Sequence, residues 1–231
     1  MSGGGYRPPG TRAWRLFPDT GHFGALPGLL IVLTFTSGLV DAASFLGLGH
    51  VFVANMTGNV VFCGFALAGA AGLSATASLT ALSAFLLGAA AGGRWRRGAR
   101  AVPFRPLVGL QTILLAAALV AQQTGASRYP VLVLMGGAMG LQNAVVHRLA
   151  VPDLTTTVLT RTLTGLAADR WGAPSLRRLL SALTLFLGAL AGALLLLHAG
   201  LGWALGLAVA MPTLVAAAPF AGERRGGSRP A

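Results

Sequence analysis

Residues 37–59 read SGLVDAASFLGLGHVFVANMTGN, and how this stretch is read decides the fold. An apolar run that begins near residue 26 carries a carboxylate, Asp41, close to its far end, and the next apolar segment opens on Asn55-Met56-Thr57-Gly58-Asn59. A helix meant to face hydrocarbon does not start on a cluster of amides and hydroxyls, because polar groups without partners are expensive in lipid. The stretch predicts a segment that dips into a membrane and returns.

The rest of the chain makes a membrane the right medium. Of 231 residues, 55% are hydrophobic and only 10% are charged, whereas a soluble domain carries roughly 25% charged residues to coat its surface. Mean hydropathy is +0.73. The net charge of +12 comes from 17 Arg, no Lys and five acids: Asp19, Asp41, Asp153, Asp169 and Glu223. Those Arg sit between apolar runs, a pattern that encodes membrane orientation rather than nucleic-acid binding. The one cysteine, Cys63, excludes an intramolecular disulfide and any multi-cysteine metal site.

Residues 1–25 are Gly- and Pro-rich and carry Arg7, Arg12 and Arg15, which reads as a cytoplasmic tail without the apolar core of a signal peptide. Eight apolar segments follow, at about 26–47, 51–71, 74–93, 106–123, 130–149, 154–168, 179–198 and 200–220, and residues 221–231 form a second cytoplasmic tail. Most approach the ~20 residues that cross a bilayer core. The second opens on the polar cluster, and the sixth is short, with six Thr and Arg161. If all eight cross, Arg161 aside, ten Arg fall inside and six outside; if the second and sixth dip and return, the division is fifteen to one. A seven-span arrangement gives twelve to four. The positive-inside rule therefore favours six crossings.

A repeat near 100 residues supports the same plan. Ser37 to Ala42 lies over Met139 to Ala144, Asn55 to Asn59 over Val158 to Thr162, and Phe85 to Gly92 over Leu185 to Gly192. Halves at about 26–123 and 130–220 then hold three crossings and one dip each, and an odd number of crossings inverts one half relative to the other. Gly88-xxx-Gly92 and Gly188-xxx-Gly192 fall at equivalent places and allow close helix contact, including with each other across the repeat.

The candidate site follows from the two odd segments. If each begins near mid-membrane, its first backbone N–H groups are unpaired and lie at the positive end of the helix dipole, which suits a polar or anionic solute. Asn55, Thr57, Gly58 and Asn59 would line it from one half and Thr156, Thr157 and Thr160 from the other, with Gln142 and Asn143 as further polar lining. The competing reading is that these Asn and Thr only hydrogen-bond helices together. Asp41 is either a coupling carboxylate or a helix-end acid at the interface. Arg161 either pairs with Asp41 or snorkels to the cytoplasmic headgroups, the latter favoured by the flanking Arg148 and Arg170. Asp153 after Pro152 reads as the N-cap of the sixth helix. No nucleophile elbow, phosphate loop or HExxH motif occurs, and His50, His147 and His198 have no acid or Cys at ligand spacing. The expectation is no catalytic residue, no metal and no cofactor.

The runs Gly38 to Leu46, Val51 to Asn59, Gly140 to Ala144 and Thr155 to Thr160 together resemble the YoaK family of small bacterial membrane proteins, a family of unknown function. The resemblance covers nearly the whole chain after the first tail, and its most specific part is Asn55-Met56-Thr57-Gly58-Asn59. It implies a bacterial inner-membrane protein of about six spans and supplies no substrate, cofactor or catalytic residue. The chain departs from the family pattern at Arg161, where a small residue is commoner. The expectation is an all-α, polytopic transmembrane bundle of about six spans plus two re-entrant or short helices with an inverted internal repeat. Its partners would be the lipid bilayer, a small solute or ion and, as an open alternative, further copies of itself. It is read as a transporter or channel, or else as a non-transporting structural protein.

Overall fold

The structure is a computed structural model and describes residues 26–94, 104–149 and 159–218. Among the described residues there are eight α-helices and no strand: α1 Leu26–Gly47, α2 Met56–Leu67, α3 Ala75–Arg94, α4 Phe104–Gln123, α5 Arg128–Leu149, α6 Leu159–Ala168, α7 Ala173–Ala199 and α8 Leu201–Ala217. Five of them, α1, α3, α4, α5 and α7, are long and apolar enough to cross a membrane. The 17-residue α8 is apolar throughout, whereas α2 has 12 residues and α6 has 10. At 1.5 Å per residue the last two reach only about 18 and 15 Å, short of a ~30 Å core. Large apolar side chains such as Phe65, Leu87, Ile113, Phe186 and Leu197 are exposed, as expected of a surface whose solvent is lipid.

Two apolar clusters set the directions of the helices. Leu29, Leu30 and Leu33 near the start of α1 pack with Leu141 and Val145 near the end of α5, Phe104 to Val108 at the start of α4 and Val215 near the end of α8. Leu39 and Val40, with Leu48 just past α1, pack instead with Val131 to Met139 of α5, Ala77 and Ala81 of α3, Leu115 and Ala118 of α4 and Leu205 and Ala208 of α8. Helices α1 and α5 are therefore antiparallel, and the start of α3 lies at the end of the bundle where α1 finishes. Val51, Val53 and Ala54, on the approach to α2, belong to that same cluster. The chain thus enters and leaves α2 at one end of the bundle.

Glycines bring the most tightly packed helices together. A Cβ on Gly38 of α1 would overlap the Leu185 carbonyl of α7 and lie 2.8 Å from the Ala189 nitrogen. A Cβ on Gly140 of α5 would overlap the Phe85 carbonyl of α3 and lie 2.7 Å from the Ala89 nitrogen. In the other direction, Gly188 sits against the Phe35 carbonyl and Gly88 against the Gly137 carbonyl. Such contacts need a residue without a Cβ. They run in order along both helices, so α1 is parallel to α7 and α3 to α5.

Three expectations from the sequence are corrected. The glycine pairs of α3 and α7 do not meet each other: Gly92 faces Leu141 and Ala144 of α5, and Gly192 faces Leu39 and Ala42 of α1. The second segment is helical only over α2, because residues 51–55 are held out of the helix by side chains described below. The seventh begins at Ala173 rather than 179, since extended Gly172 and Pro174 in the first turn start the helix and carry Arg177 and Arg178 inside it.

Candidate functional site

Helix α1 ends in a left-handed turn. The Leu48 amide donates to the Ser44 carbonyl and that of His50 to the Phe45 carbonyl, with Gly49 at φ 95° and His50 at φ 58°. This reverses the chain, which runs back along α1 as residues 51–55. Asp41 lies six residues before the end of α1, about 9 Å along the axis, and there its carboxylate meets the returning backbone. Oδ1 accepts the amides of Val53 at 2.9 Å, Ala54 at 2.7 Å and Asn55 at 3.4 Å. These N–H groups immediately precede α2, so the first anion at this helix entry is the chain's own.

Asn59 fastens the other side of the same turn. Its Oδ1 accepts the Phe52 amide at 2.9 Å and its Nδ2 donates to the Phe52 carbonyl at 2.6 Å. The side chain is 1% exposed and replaces, for that residue, the ladder of a neighbouring strand. Gly58 lies under the Phe52 ring, where a Cβ would come within 2.6 Å of Cδ2. Phe52 in turn stacks on Phe45 at 4.8 Å and on Phe62 at 5.7 Å. Asn55 and Thr57 remain exposed at the start of α2. The structure therefore brings Asp41, Asn55, Thr57, Gly58 and Asn59 together around residues 52–55.

The remaining candidates lie elsewhere. Gln142 is buried: its Nε2 donates to Ser37 Oγ at 2.8 Å and to the Leu33 carbonyl at 3.2 Å, and its Oε1 accepts from Gln111 Nε2 at 2.6 Å. That network ties α1, α4 and α5 together between the two apolar clusters. Gln111, an amide in an otherwise apolar run, is the member that sequence reasoning passed over. Half-buried Asn143 donates to the Met139 carbonyl of its own helix at 2.9 Å. Thr160 is exposed on α6, which also carries Arg161. Thr156, Thr157 and Asp153 lie outside the described residues. Helix α2 packs mainly on α3, and α6 on α7, so the two short helices have different neighbours. Among the described residues no group of His, Cys, Asp and Glu is placed to hold a metal ion.

The family model described as "Protein of unknown function (DUF1275)" matches residues 29–218, from the first turn of α1 to just past the end of α8. The chain belongs to this family. It is also similar to the UPF0700 transmembrane protein YoaK of Bacillus subtilis (strain 168), with 33% identity over 147 residues, which is 61% of this chain and 65% of that protein. The match thus spans just under two thirds of the relative's length. No solved structure matches. That relative is named a transmembrane protein, and with five helices long and apolar enough to cross a membrane this member of the family is a multi-pass membrane protein.

Proposed function

We propose that the chain is a transporter or channel for a small polar or anionic solute in a bacterial inner membrane, built from two inverted halves of three crossing helices and one re-entrant helix each. The observation that carries this reading is the position of Asn55 and Thr57. Both are exposed, yet they begin α2 beside Asp41, about 9 Å along the axis from the end of α1. Polar, non-helical backbone at membrane depth is tolerated where protein buries it or where it lines a water-filled cavity. Asp41 and Asn59 cover the backbone here, and the exposed side chains ask for water.

The inverted plan draws its support from matched contacts. The α1–α7 contacts at Gly38 and Gly188 have counterparts 100 to 102 residues away in the α5–α3 contacts at Gly140 and Gly88. Buried positions 77, 81, 84, 88 and 92 of α3 correspond to buried positions 177, 181, 184, 188 and 192 of α7. The six-crossing topology draws on the shared end of the bundle at which the α2 segment enters and leaves. No residue of the chain is proposed as catalytic.

The second reading, a non-transporting structural protein, is favoured by Asn59 and Gln142, whose amides are engaged by protein partners. Thiol accessibility separates the two. In a Cys63→Ser background, Asn55→Cys and Thr57→Cys react with a membrane-impermeant thiol reagent in intact cells if they line an aqueous vestibule. If both stay unlabelled while a loop cysteine in the same protein reacts, the transport reading falls and the structural one stands.

A further inference from the structure

The stripe of α7 that faces α1 changes character along its length. Gly192 and Gly188 abut the carbonyls of Leu39 and Phe35, and the same face continues through Thr184 and Ser181 to Arg177, at spacings of three and four residues. All three are buried, at 8%, 1% and 9% exposure. The corresponding face of α3 reads Ala84, Ala81 and Ala77, with Ala77 and Ala81 in an apolar cluster. One helix seals its stripe with methyl groups, and its counterpart fills the same positions with two hydroxyls and a guanidinium.

Ser181 is the informative member. Elsewhere in the bundle the helix hydroxyls of Thr34, Ser37, Thr80, Thr112 and Thr213 are satisfied by the carbonyl four residues earlier. Ser181 Oγ has no partner among the described residues, though it is fully buried. A buried hydroxyl without a partner is unfavourable and calls for an explanation such as a bound species. The side chain one turn away is an arginine, whose planar fork of N–H donors matches a carboxylate or a tetrahedral oxyanion. Arg177 already has an interaction partner of its own. Its five donors allow it to keep that contact and still present others.

We propose that Arg177, Ser181 and Thr184 form one wall of a binding site for a small oxyanion, opening toward the end of the bundle where α1 begins and α5 finishes. This deepens the transport reading by naming the substrate class, and it rests on that reading for its purpose, although binding itself does not require transport.

The test is binding to the full chain in lipid nanodiscs, followed by tryptophan fluorescence during thermal unfolding. Sodium formate, inorganic phosphate and sodium nitrate are titrated in turn against sodium gluconate at constant ionic strength. The expected result is a saturable rise in Tm with at least one of the three. It should require at least tenfold more anion in Arg177→Gln and several-fold more in Ser181→Ala, and stay unchanged in Arg178→Gln, whose half-buried guanidinium is paired with exposed Asp169. The proposal is overturned if none of the three anions gives a saturable shift, or if Arg177→Gln responds as the unaltered chain does. Should Arg177→Gln fail to fold, Ser181→Ala decides: weakened binding supports the site and unchanged binding overturns it. Vestibule labelling at Asn55 and Thr57 reads out separately, so wet cysteines without anion binding would leave transport standing and remove this site.

Discussion

Asp41 Oδ1 and the backbone N–H of Ala54 are hydrogen-bonded at 2.7 Å across thirteen residues of sequence, and this contact sets where α2 begins. A carboxylate in an apolar helix needs a partner or water. Here the partner is a row of amides on the non-helical residues 53–55 that lead into α2. Each side cancels the cost of the other. Neither a side-chain cation nor a metal is required to explain why this acid is tolerated.

Replacing Asp41 separates charge from hydrogen bonding. Asn at this position keeps an Oδ1 acceptor and loses the charge; Ala loses both. Charged hydrogen bonds contribute roughly 1.5–3 kcal/mol and neutral ones about 1. Asp41→Asn should therefore destabilise by about 1–2 kcal/mol and Asp41→Ala by about 3 or more, with amides left bare. Thermal unfolding in one detergent for all three proteins measures this. Equal losses for Asn and Ala would show that the amide contacts contribute nothing beyond the charge.

The shared end of the bundle at which the chain enters and leaves the α2 segment predicts a labelling pattern. In a Cys63→Ser background, His50→Cys before α2 and Ala71→Cys after it should react with an impermeant reagent from the same side of the membrane. The neighbouring Gly49 and Gly72 are unsuitable positions, because their φ values of 95° and 79° lie further into the positive region than the 58° at which His50 already carries a side chain. Labelling from opposite faces would make α2 a crossing helix and dissolve the repeat.

Much of this arrangement was legible in the residues themselves. Arg between apolar runs, the short sixth segment and the glycines at 88, 92, 188 and 192 mark the helices and their close contacts. What they do not mark is the partner of each group. Nothing in the spacing of Asp41 and Ala54 announces a hydrogen bond, since it depends on a left-handed turn at Gly49 and His50 that folds the chain back. Asn59 reads equally well as a ligand or as a clip until Phe52 is seen between its two polar atoms. Gln142 looks like a lining residue, and it is buried because Gln111, 31 residues away, turns toward it. The spacing of the glycine pairs marks close helix contact and leaves the partner open, and each helix presents them to the first helix of the opposite half.

Those glycine contacts make a paired prediction. Gly88→Ala and Gly188→Ala each push a methyl group into a backbone carbonyl of the neighbouring helix, and overpacking of this kind costs about 1–3 kcal/mol, sometimes more. Gly109→Ala on α4 meets open space and should be neutral or stabilise by about 0.5–1 kcal/mol through helix propensity. Unfolding midpoints of the three variants test it. A tolerated Gly88→Ala beside a damaging Gly188→Ala would mean that the two contacts do not have equivalent mechanical roles.

The glutamine network offers the sharpest double-mutant test, because both side chains are buried, Gln111 at 0% and Gln142 at 1% exposure. Gln142→Leu strands the Gln111 amide and removes the donor that Ser37 Oγ and the Leu33 carbonyl accept from, so it should cost about 1–3 kcal/mol for the polar groups left unpaired. Gln111→Leu removes one hydrogen bond together with a carbonyl oxygen that has no partner among the described residues, and should cost less. With both replaced, the apolar clusters on either side can close over the site, and the loss should be smaller than the sum of the single losses by about 1 kcal/mol or more. Additive losses would show that the two amides do not act as a unit, and the network would then be two unrelated polar residues sharing a contact rather than the junction that ties α1, α4 and α5 together.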